Sequence, residues 1–450
     1  MKVKIGIISL GCARNLVDSE VMLGFLKQQG MLITDKLSQA DVALINTCAF
    51  IKDAKQESID IILQLINLKK EGKVKKIIVA GCLPQRYFKE LNSELPEIDG
   101  FIGPGGVNRI IEVVHDVFKG KRPAYLDNLK FLYTHQTPRE FITKRHSVYV
   151  KIAEGCRNFC SYCVISKIRG KYRSRRMTSI VTEIKDLTQN GTKEINIISQ
   201  DTTLYGIDLY GRPKISELVK KISHETKVTW LRLLYNHPAH FSDELIEQFK
   251  YNSKLCRYVD LPLQHINDKI LSRMNRQTTK AGILQLIEKL RKIEDLVIRT
   301  TFIVGFHGET NRQFCELLDF IRDVKFERLG IFIYSPEEDT PAYRFDQQVA
   351  ERVKTERFNI LMQEQQKIAA EQNQKMIGKT IKVIVDEIDE TDKNGKTNYI
   401  TRSAFDAPDV DGVVFVKSRN KHKIGDFLSV KIIDALEYDL VARALNTDDH

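Results

Sequence analysis

The sequence contains few cysteines for its length and no long apolar run. Eight cysteines in 450 residues are too few for a disulfide scaffold, which indicates a reducing compartment such as the cytoplasm. No apolar stretch reaches the length of a bilayer crossing, and the apolar run at 1–10 lacks the small-residue cleavage site of a signal peptide. We therefore expect a cytoplasmic protein with no membrane segment.

The length and composition predict a folded protein of several domains. A chain of 450 residues exceeds one ordinary domain, so two or three are expected. A hydrophobic fraction of 42% with 29% charged residues is typical of globular chains and not of disordered ones. The net charge of +11 is compatible with an RNA or ribosomal partner, but many basic enzymes bind no nucleic acid. Charge alone therefore leaves the partner open.

Three cysteines, Cys156, Cys160 and Cys163, form a C-x3-C-x2-C motif directly after a strand-like run at 148–153. We call them the core triplet. A structural zinc site needs four Cys or His ligands, and the nearest histidine, His146, lies beyond that strand. Three thiolates at this spacing can instead hold three irons of a 4Fe-4S cluster and leave the fourth iron open to a ligand. The spacing therefore favours an iron-sulfur cluster over a zinc knuckle or stray thiols.

The first third of the chain alternates predicted strands and helices. Continuous apolar runs at 5–10, 42–46 and 76–80 are typical of parallel strands buried on both faces, which predicts a doubly wound parallel α/β domain. Cys12, Cys48 and Cys82, the N-terminal triplet, each follow one of these strands. The carboxyl ends of strands in such a sheet converge on one crevice. Cysteines that merely pack in the core are the alternative, but this placement predicts a second cluster site.

Strand-helix alternation resumes after a polar linker at 134–146. Six strands are predicted, at 149–152, 194–198, 230–234, 258–261, 297–304 and 329–334, with amphipathic segments between them. Successive parallel units of this length build a barrel or part of one, with reactive groups at the carboxyl ends of the strands. We predict a partial (βα)6 barrel in which the core triplet follows the first strand.

The core triplet, with the aromatic Tyr162 before its last cysteine, resembles the signature of the radical S-adenosylmethionine (SAM) superfamily. The resemblance implies that SAM binds the open iron of a 4Fe-4S cluster and is cleaved by one electron to a 5'-deoxyadenosyl radical, which removes hydrogen from an unactivated carbon. It also implies an electron donor such as a flavodoxin or ferredoxin. Tyr162 is included among the predicted cofactor-binding residues.

Several predicted strand ends carry further groups that could contact SAM. Gly305 and Gly308 follow the fifth strand and resemble the superfamily's glycine motif beside the adenine, although glycine also commonly just turns a chain. Ser199, Gln200 and Gln264 follow the second and fourth strands, where polar groups could meet the methionyl or ribose parts of SAM. Ordinary loop polarity is the alternative for these three residues.

A run of cations follows the core triplet at 169–176. Its members are Arg169, Lys171, Arg173, Arg175 and Arg176. The run could fix a carboxylate or phosphate by bidentate contacts, or it could be a solvated loop. The sequence does not decide between these two interpretations.

The end of the chain predicts a third unit after a helix-forming segment at 351–372. Short strands are predicted at 380–385, 399–402, 412–416, 427–433 and 440–442, a pattern that indicates a small antiparallel barrel. The unit resembles the TRAM domain, which in relatives binds RNA or protein. It is nearly neutral, whereas an RNA-binding barrel is usually basic. Its acidic runs at 386–392 and 406–411 could steer a basic protein substrate, or could be solvated loops.

Two predicted cluster sites and a TRAM-like tail resemble the radical SAM methylthiotransferases over essentially the whole chain. Runs at 11–20, 200–206 and 406–412 are similar to the branch that modifies a ribosomal protein, and differ from the transfer-RNA enzymes. Departures occur at Ala13-Arg14, where Pro-Lys is usual, and at His307, where proline is usual. We predict a methylthiotransferase domain at 1–133, a radical SAM core at 142–372 and a TRAM-like domain at 375–445.

The resemblance implies a division of labour between two 4Fe-4S clusters. The cluster of the core triplet generates the radical, and the cluster of the N-terminal triplet carries the sulfur to be transferred. The implied reaction adds a methylthio group to the β-carbon of an aspartate in small-subunit ribosomal protein number twelve. One SAM supplies the methyl group and another the radical, and no catalytic residue is predicted beyond the cluster ligands. The alternatives are the same chemistry on a transfer-RNA adenosine, and an iron-sulfur electron carrier or RNA-binding adaptor.

Overall fold

The computed structural model describes residues 3–126, 129–391 and 395–445. Two six-stranded parallel sheets and a closed five-stranded barrel follow one another along the chain, with a two-stranded ribbon beside the second sheet. Within these residues, no helix has both the length and the apolar character needed to cross a bilayer.

The first sheet is parallel, with the strand order β2-β1-β3-β4-β5-β6. Its strands are β1 (Lys4–Ser9), β2 (Leu32–Thr34), β3 (Val42–Thr47), β4 (Lys76–Gly81), β5 (Gly100–Ile102) and β6 (Ala124–Tyr125). Its helices are α1 (Ala13–Gln28), α2 (Lys52–Lys70), α3 (Cys82–Glu94) and α4 (Ile110–Phe118). Because α1 and α4 pack on one face and α2 and α3 on the other, the predicted doubly wound domain is confirmed. The sequence pattern missed β2, β5 and β6, which are only two or three residues long.

The second sheet has the order β14-β13-β12-β11-β10-β7, and all its pairs are parallel. The strands of this region are β7 (Ser147–Lys151), the ribbon β8 (Ala153–Glu154) and β9 (Arg173–Ser174), β10 (Glu194–Ile198), β11 (Trp230–Leu233), β12 (Leu255–Asp260), β13 (Val297–Val304) and β14 (Arg328–Ile333). All six predicted strands are present. Since β7 and β14 do not pair with each other, the barrel is partial, as predicted.

The longer helices of this region cover one face of the second sheet, and the region has nine α-helices among the described residues. They are α5 (Ile165–Arg169), α6 (Met177–Gln189), α7 (Ile207–Tyr210), α8 (Ile215–Glu225), α9 (Asp243–Tyr251), α10 (Asp268–Arg273), α11 (Lys280–Arg291), α12 (Asn311–Val324) and α13 (Glu351–Gln374). Apolar residues of α6, α8, α9, α11, α12 and α13 form the main core with every second residue of the strands. The other face, which we call the inner face, carries mainly polar and charged side chains, with a few apolar ones such as Ile303 and Phe332.

The last sheet is a closed barrel with the order β15-β16-β17-β19-β18. Its strands are β15 (Thr380–Thr391), β16 (Thr397–Ser403), β17 (Val414–Ser418), β18 (Phe427–Ala435) and β19 (Leu440–Ala444). The small barrel predicted from the strand and turn pattern is therefore confirmed. Its pairs are antiparallel except β17 with β19, which run parallel because the connection after β17 leads first to β18.

The segment 402–411, which begins in the last two residues of β16 and leads towards β17, packs against the inner face of the second sheet. We call it the docking segment. All six strands contact it from the inner face: Tyr149 donates to Asp409, Glu194 pairs with Arg402, Arg232 donates to the Ala404 carbonyl, Tyr258 donates to Asp411, Arg299 pairs with Asp411, and Arg328 pairs with Asp406. The small barrel is thus fixed to the core by buried, paired charges, which hold it far more firmly than exposed ion pairs would.

These contacts correct one prediction from the sequence. Asp406 and Asp411 do not form an exposed acidic surface, because arginines of the core cover them. In the other acidic run, Asp386 is paired with His146 and Arg402, whereas Asp389 and Glu390 are exposed. Asp392 lies outside the described residues. A steering role is therefore excluded for Asp406 and Asp411, whereas Asp409 and a few side chains of the first run are exposed.

Candidate active site

The N-terminal triplet is assembled by the order of the strands in the first sheet. Cys12 precedes α1, Cys48 follows β3, and Cys82 begins α3 directly after β4. Since β1, β3 and β4 are adjacent and parallel, the three loops lie at one edge of the sheet. Gly11 has φ +84°, and a Cβ there would lie 2.8 Å from the Cys48 Cβ and 3.1 Å from its Sγ. Glycine at this position therefore permits the two cysteine loops to approach.

The core triplet lies on one short loop after β8, and α10 holds that loop in place. The Ser161 amide donates to the Met274 carbonyl at 2.9 Å, and the Asn275 side chain donates to the Phe159 carbonyl at 2.8 Å. Gly155, with φ +76°, starts the loop where a Cβ would lie 2.2 Å from the Lys171 carbonyl oxygen. The loop geometry is thus fixed by backbone contacts that do not involve the thiols.

Neither triplet is compact enough for a single zinc ion. Tetrahedral zinc with Zn–S bonds of about 2.3 Å brings sulfur atoms within about 3.8 Å of one another. Among the described residues, the only group of three Cys, His, Asp or Glu ligand atoms all within 4.8 Å of one another is Asp201, His237 and His240. Three thiols held farther apart suit a cluster of several irons, so both sets fit the group predicted for them.

The thiols of the triplets lie in strongly perturbed surroundings. Burial raises the pKa of Cys82 to about 12 and that of Cys156 to about 11, and it also raises the pKa of Cys163. Burial opposes ionisation of Cys12 as well, but the guanidinium groups of Arg14 and Arg169 hold the pKa of this thiol below its usual value. Buried thiols that resist ionisation are inert in the free form, and a bound metal would deprotonate them.

Arg169 joins the two triplets. It ends α5, six residues after Cys163, and is 1% exposed. Its Nη2 donates to Asn15 Oδ1 at 2.6 Å and lies 3.9 Å from Cys82 Sγ, both in the first sheet's domain. Its Nη1 pairs with Asp18 at 3.0 Å and Glu154 at 2.9 Å. The loop that carries one triplet therefore contacts the other triplet directly.

Arg14 makes the reciprocal connection from the N-terminal domain. Its Nη1 donates to the Ser199 carbonyl at 3.0 Å, and its guanidinium carbon lies 4.1 Å above the Tyr235 ring. Burial raises the pKa of the Cys163 thiol and this cation only partly offsets that rise, whereas it helps to hold the pKa of Cys12 below its usual value. Each domain thus extends one arginine towards the cysteines of the other.

The predicted cation run is neither a ligand clamp nor a solvated loop as a whole. Arg169 and Arg175 are buried and paired with carboxylates, Arg175 with Glu183 at 2.6 Å. Lys171 and Arg176 are exposed. Arg169 and Arg175 are thus neither solvated nor free to bind a ligand, because carboxylates of other parts of the chain pair with them. The local sequence around the two arginines does not indicate these partners.

A second contact fixes the first sheet's domain to the far edge of the core. Glu337, in the loop after β14, accepts from Arg86 at 2.8 Å and from Lys55 at 2.9 Å. The side chains of Glu337 and Arg86 are nearly fully buried, and that of Lys55 is partly exposed. With the Arg169 contacts at the β7 edge, these pairs bring the N-terminal triplet over the carboxyl ends of the second sheet. Barrel active sites lie at that end of the strands.

Three of the predicted SAM contacts, Ser199, Gln200 and Gln264, lie beyond the carboxyl ends of β10 and β12. Gln200 Nε2 and Gln264 Oε1 are buried and have no hydrogen-bond partner among the described residues. Ser199 is fully buried, with its hydroxyl 3.4 Å from that of Thr202. Buried polar atoms are nearly always paired, so the two glutamines fit a polar ligand at this edge.

The glycine motif packs largely against protein. A Cβ at Gly305 would lie 2.3 Å from Lys354 Cγ, and one at Gly308 would lie 2.3 Å from Arg273 Nη1. Both glycines have φ near +73°, which suits their turn. Tyr162 packs edge-on to Phe306 of this motif, with ring centroids 6.5 Å apart. The motif therefore supports the core-triplet loop, and its role towards adenine stays a prediction.

Sequence reasoning missed further groups at the same edge. His237 Nε2, Asn236 Oδ1 and Arg276 Nε are buried without a hydrogen-bond partner in the described part of the chain. Arg276 Nη1 also lies 3.7 Å from Cys160 Sγ. The residues Asn236 and His237 directly follow a predicted strand, which was an available signal, whereas Arg276 follows a helix and had none.

Asp201, His237 and His240 form a compact group in which Asp201 is hydrogen-bonded to several neighbours. The Asp201 carboxylate lies 2.9 Å from His240 Nδ1 and accepts from Asn158 Nδ2 at 2.8 Å, and it also accepts from Thr203. His237 Nδ1 accepts from the Ala239 amide, whereas His237 Nε2 has no hydrogen-bond partner among the described residues. Asp201 therefore fixes Asn158, which lies between the first two cysteines of the core triplet.

Comparison with known proteins agrees with these sites. Residues 4–103 match the uncharacterized protein family UPF0004, residues 150–321 the radical SAM superfamily, and residues 377–445 the TRAM domain. A solved radical SAM methyltransferase, TsrM from Kitasatospora setae with cobalamin and a [4Fe-4S] cluster bound, has a TM-score of 0.56 at 15% identity, covering 76% of this chain and 77% of its own. The matched core and its three-cysteine loop define the class: a radical SAM enzyme.

Relatives that match nearly the whole chain identify the family within this class. The chain is 49% identical to the ribosomal protein uS12 methylthiotransferase RimO of Desulforamulus reducens, covering 97% of this chain and 98% of the relative. It is 45% identical to RimO of Clostridioides difficile, covering 98% and 99%, and 46% identical to RimO of Heliobacterium modesticaldum, covering 99% and 96%. The chain belongs to the RimO family of radical SAM methylthiotransferases.

Proposed function

We propose that this enzyme adds a methylthio group to the β-carbon of an aspartate in ribosomal protein uS12, with SAM and two 4Fe-4S clusters as cofactors. The observation that carries the proposal is the approach of the two cysteine triplets, bridged by Arg169, at the carboxyl ends of the second sheet. Replacing C–H by C–S requires a radical source and a sulfur carrier at one place. The relatives that match nearly the whole chain are named for uS12.

The chain's own residues would hold both groups. The thiolates of the N-terminal triplet (Cys12, Cys48 and Cys82) would hold one cluster, and those of the core triplet (Cys156, Cys160 and Cys163) the other. Together with SAM, clusters of this kind supply one-electron chemistry that removes hydrogen from an unactivated carbon. The unpartnered amides of Gln200 and Gln264 would bind polar parts of SAM, and Tyr162 would line its site.

Three contacts would keep the core site in its working geometry. Arg276 Nη1 lies 3.7 Å from Cys160 Sγ and places a cation beside this thiol. Asp201 orients Asn158, whose backbone amide points to Cys156 Sγ at 3.5 Å.

We assign residues 1–133 to the sulfur-carrying domain, 142–372 to the radical SAM core and 375–445 to the TRAM-like domain. A flavodoxin or ferredoxin would supply the electron. Arg157 and Phe159 are exposed at the tip of the core-triplet loop and offer a basic and an apolar contact for a small acidic electron carrier.

Transfer RNA is the less favoured substrate, since the relatives cited above are named for a ribosomal protein. Mass spectrometry of uS12 and of bulk transfer RNA, from cells with and without the gene, tests the proposal. We expect a methylthio mass increase on one uS12 aspartate only when the gene is present, with unchanged transfer RNA. Loss of a methylthioadenosine in place of the uS12 modification would contradict it.

A further inference from the structure

On the inner face, β13 and β14 present three pairs of registered residues, which we call layers and count from the amino ends of the strands. The docking segment covers the first layer. Arg299 is registered with Arg328 there. Arg299 pairs with Asp411 at 3.3 Å, and Arg328 pairs with Asp406 at 2.7 Å. Both aspartates belong to the docking segment, so the TRAM-like barrel fills this layer completely.

The next two layers are open. Thr301 is registered with Gly330, and Ile303 with Phe332. Because side chains alternate along a strand, these four residues share the inner face with Arg299 and Arg328. We call them the slot. A Cβ on Gly330 would have no heavy atom closer than 3.9 Å, and Phe332 is 50% exposed.

The slot lies between the docking segment and the core triplet. At its upper end Ile303 packs against the buried cluster around Phe306, and Tyr162 of the core-triplet loop packs against the same cluster. At its lower end the closed layer of ion pairs begins. An apolar surface of this kind, left uncovered beside an active site, marks a binding site more often than a structural fault.

We propose that the slot binds the polypeptide segment of uS12 next to the acceptor aspartate. This inference rests on the proposed function. The slot is continuous with the interface between the core and the TRAM-like barrel, and a chain entering along it would end at the core triplet. Ile303 and Phe332 would contact apolar parts of the segment, and the missing side chain of Gly330 leaves room for its backbone.

A size series at Gly330 tests the slot. Gly330→Ala, Gly330→Val and Gly330→Leu fill the open space without strain, since Gly330 has no positive φ and Val suits a strand. We expect uS12 affinity, measured by titration calorimetry on the enzyme with its clusters, to fall with side-chain size, by about tenfold for Val. Phe332→Ala, which widens the slot, should also weaken binding. Formation of 5'-deoxyadenosine from SAM in the absence of uS12 is measured in parallel, to show that each variant retains a working core site.

Gly282→Val is the matched control, because Gly282 is exposed on α11 and has room for a Cβ. It should leave both uS12 affinity and SAM cleavage unchanged. If Gly330→Leu binds uS12 as tightly as the unsubstituted enzyme, and the unsubstituted enzyme modifies uS12 normally, the proposal for the slot is wrong and the proposed function is unaffected. If the unsubstituted enzyme neither binds nor modifies uS12, both the proposed function and the proposal for the slot are contradicted.

Discussion

The two cysteine triplets present the same set of thiols by different means. The core triplet lies within one loop, which is held in shape by the Met274 carbonyl and by the side-chain amide of Asn275. The N-terminal triplet comes from three loops that meet only because β1, β3 and β4 are neighbours in a sheet. One site is therefore a property of a local loop, and the other is a property of the whole domain. Damage to packing should affect the second site first.

The largest expected effect is the loss of one cluster at a time. Anaerobically reconstituted enzyme should hold about eight irons, and Cys12→Ala or Cys160→Ala should each leave about four, since each removes a ligand from a different triplet. Iron and sulfide analysis measures this directly. Cys315→Ala, at an exposed cysteine outside both triplets, is the control and should change nothing. Four irons in the fully reconstituted unsubstituted enzyme would contradict the two-site comparison.

Removing the bridge between the sites should come next in size. Arg169→Met leaves Asp18 and Glu154 buried with less positive charge, and breaking such a pair costs about 3–5 kcal/mol of unfolding free energy. We expect the N-terminal site to lose its iron while the core site retains most of its own.

An exposed pair provides the comparison for that variant. Lys73→Ala breaks a contact with Glu71 in which both side chains are about half exposed, and should cost less than about 1 kcal/mol. Urea unfolding together with iron analysis measures both effects. Equal iron loss from the two sites in Arg169→Met would show that the sites fold as one unit.

Acid should loosen the junction between the core and the TRAM-like barrel. Burial opposes ionisation of Glu194, but Arg402 and Arg232 hold its pKa at about 2. The pKa of a glutamate in the unfolded chain is about 4.3. Because the folded-state pKa of Glu194 is lower, its charge stabilises the fold above about pH 4.3, and this stability is lost as the pH falls from about 4.3 to about 2. The contribution at pH 7 is about 3 kcal/mol. Glu194→Gln should therefore be less stable at pH 7 and lose less stability between pH 5 and pH 3. Parallel acid profiles for the two proteins would exclude this role.

The smallest effect concerns the acids that remain exposed on the small barrel. Asp389→Lys with Glu390→Lys should weaken uS12 binding about two- to fivefold at low ionic strength, and not at high salt, because screening removes surface electrostatics. Glu71→Lys, on the N-terminal domain, serves as the control. Equal affinity of the double variant and the unsubstituted enzyme at low salt would rule out steering by this barrel.

Much of this architecture was predictable from local patterns. Apolar runs predicted the parallel strands, and the positions of Cys12, Cys48 and Cys82 after three of them predicted a shared site, because parallel strands end together. The role of Arg169 was not predictable, since its partners Asn15 and Cys82 are far away in sequence and depend on how two domains pack. The acids at 406–411 were misread for the same reason: their covering arginines come from strands spread over the core.

The most direct test of the comparison is a paired product assay on two cysteine variants. In Cys156→Ala, neither 5'-deoxyadenosine nor methylthiolated uS12 should form, because we assign SAM cleavage to the core triplet. In Cys48→Ala, 5'-deoxyadenosine should still form while methylthiolated uS12 is absent. Both products are quantified by mass spectrometry of one reaction mixture. Loss of 5'-deoxyadenosine to the same extent in both variants would contradict the assignment of separate roles to the two triplets.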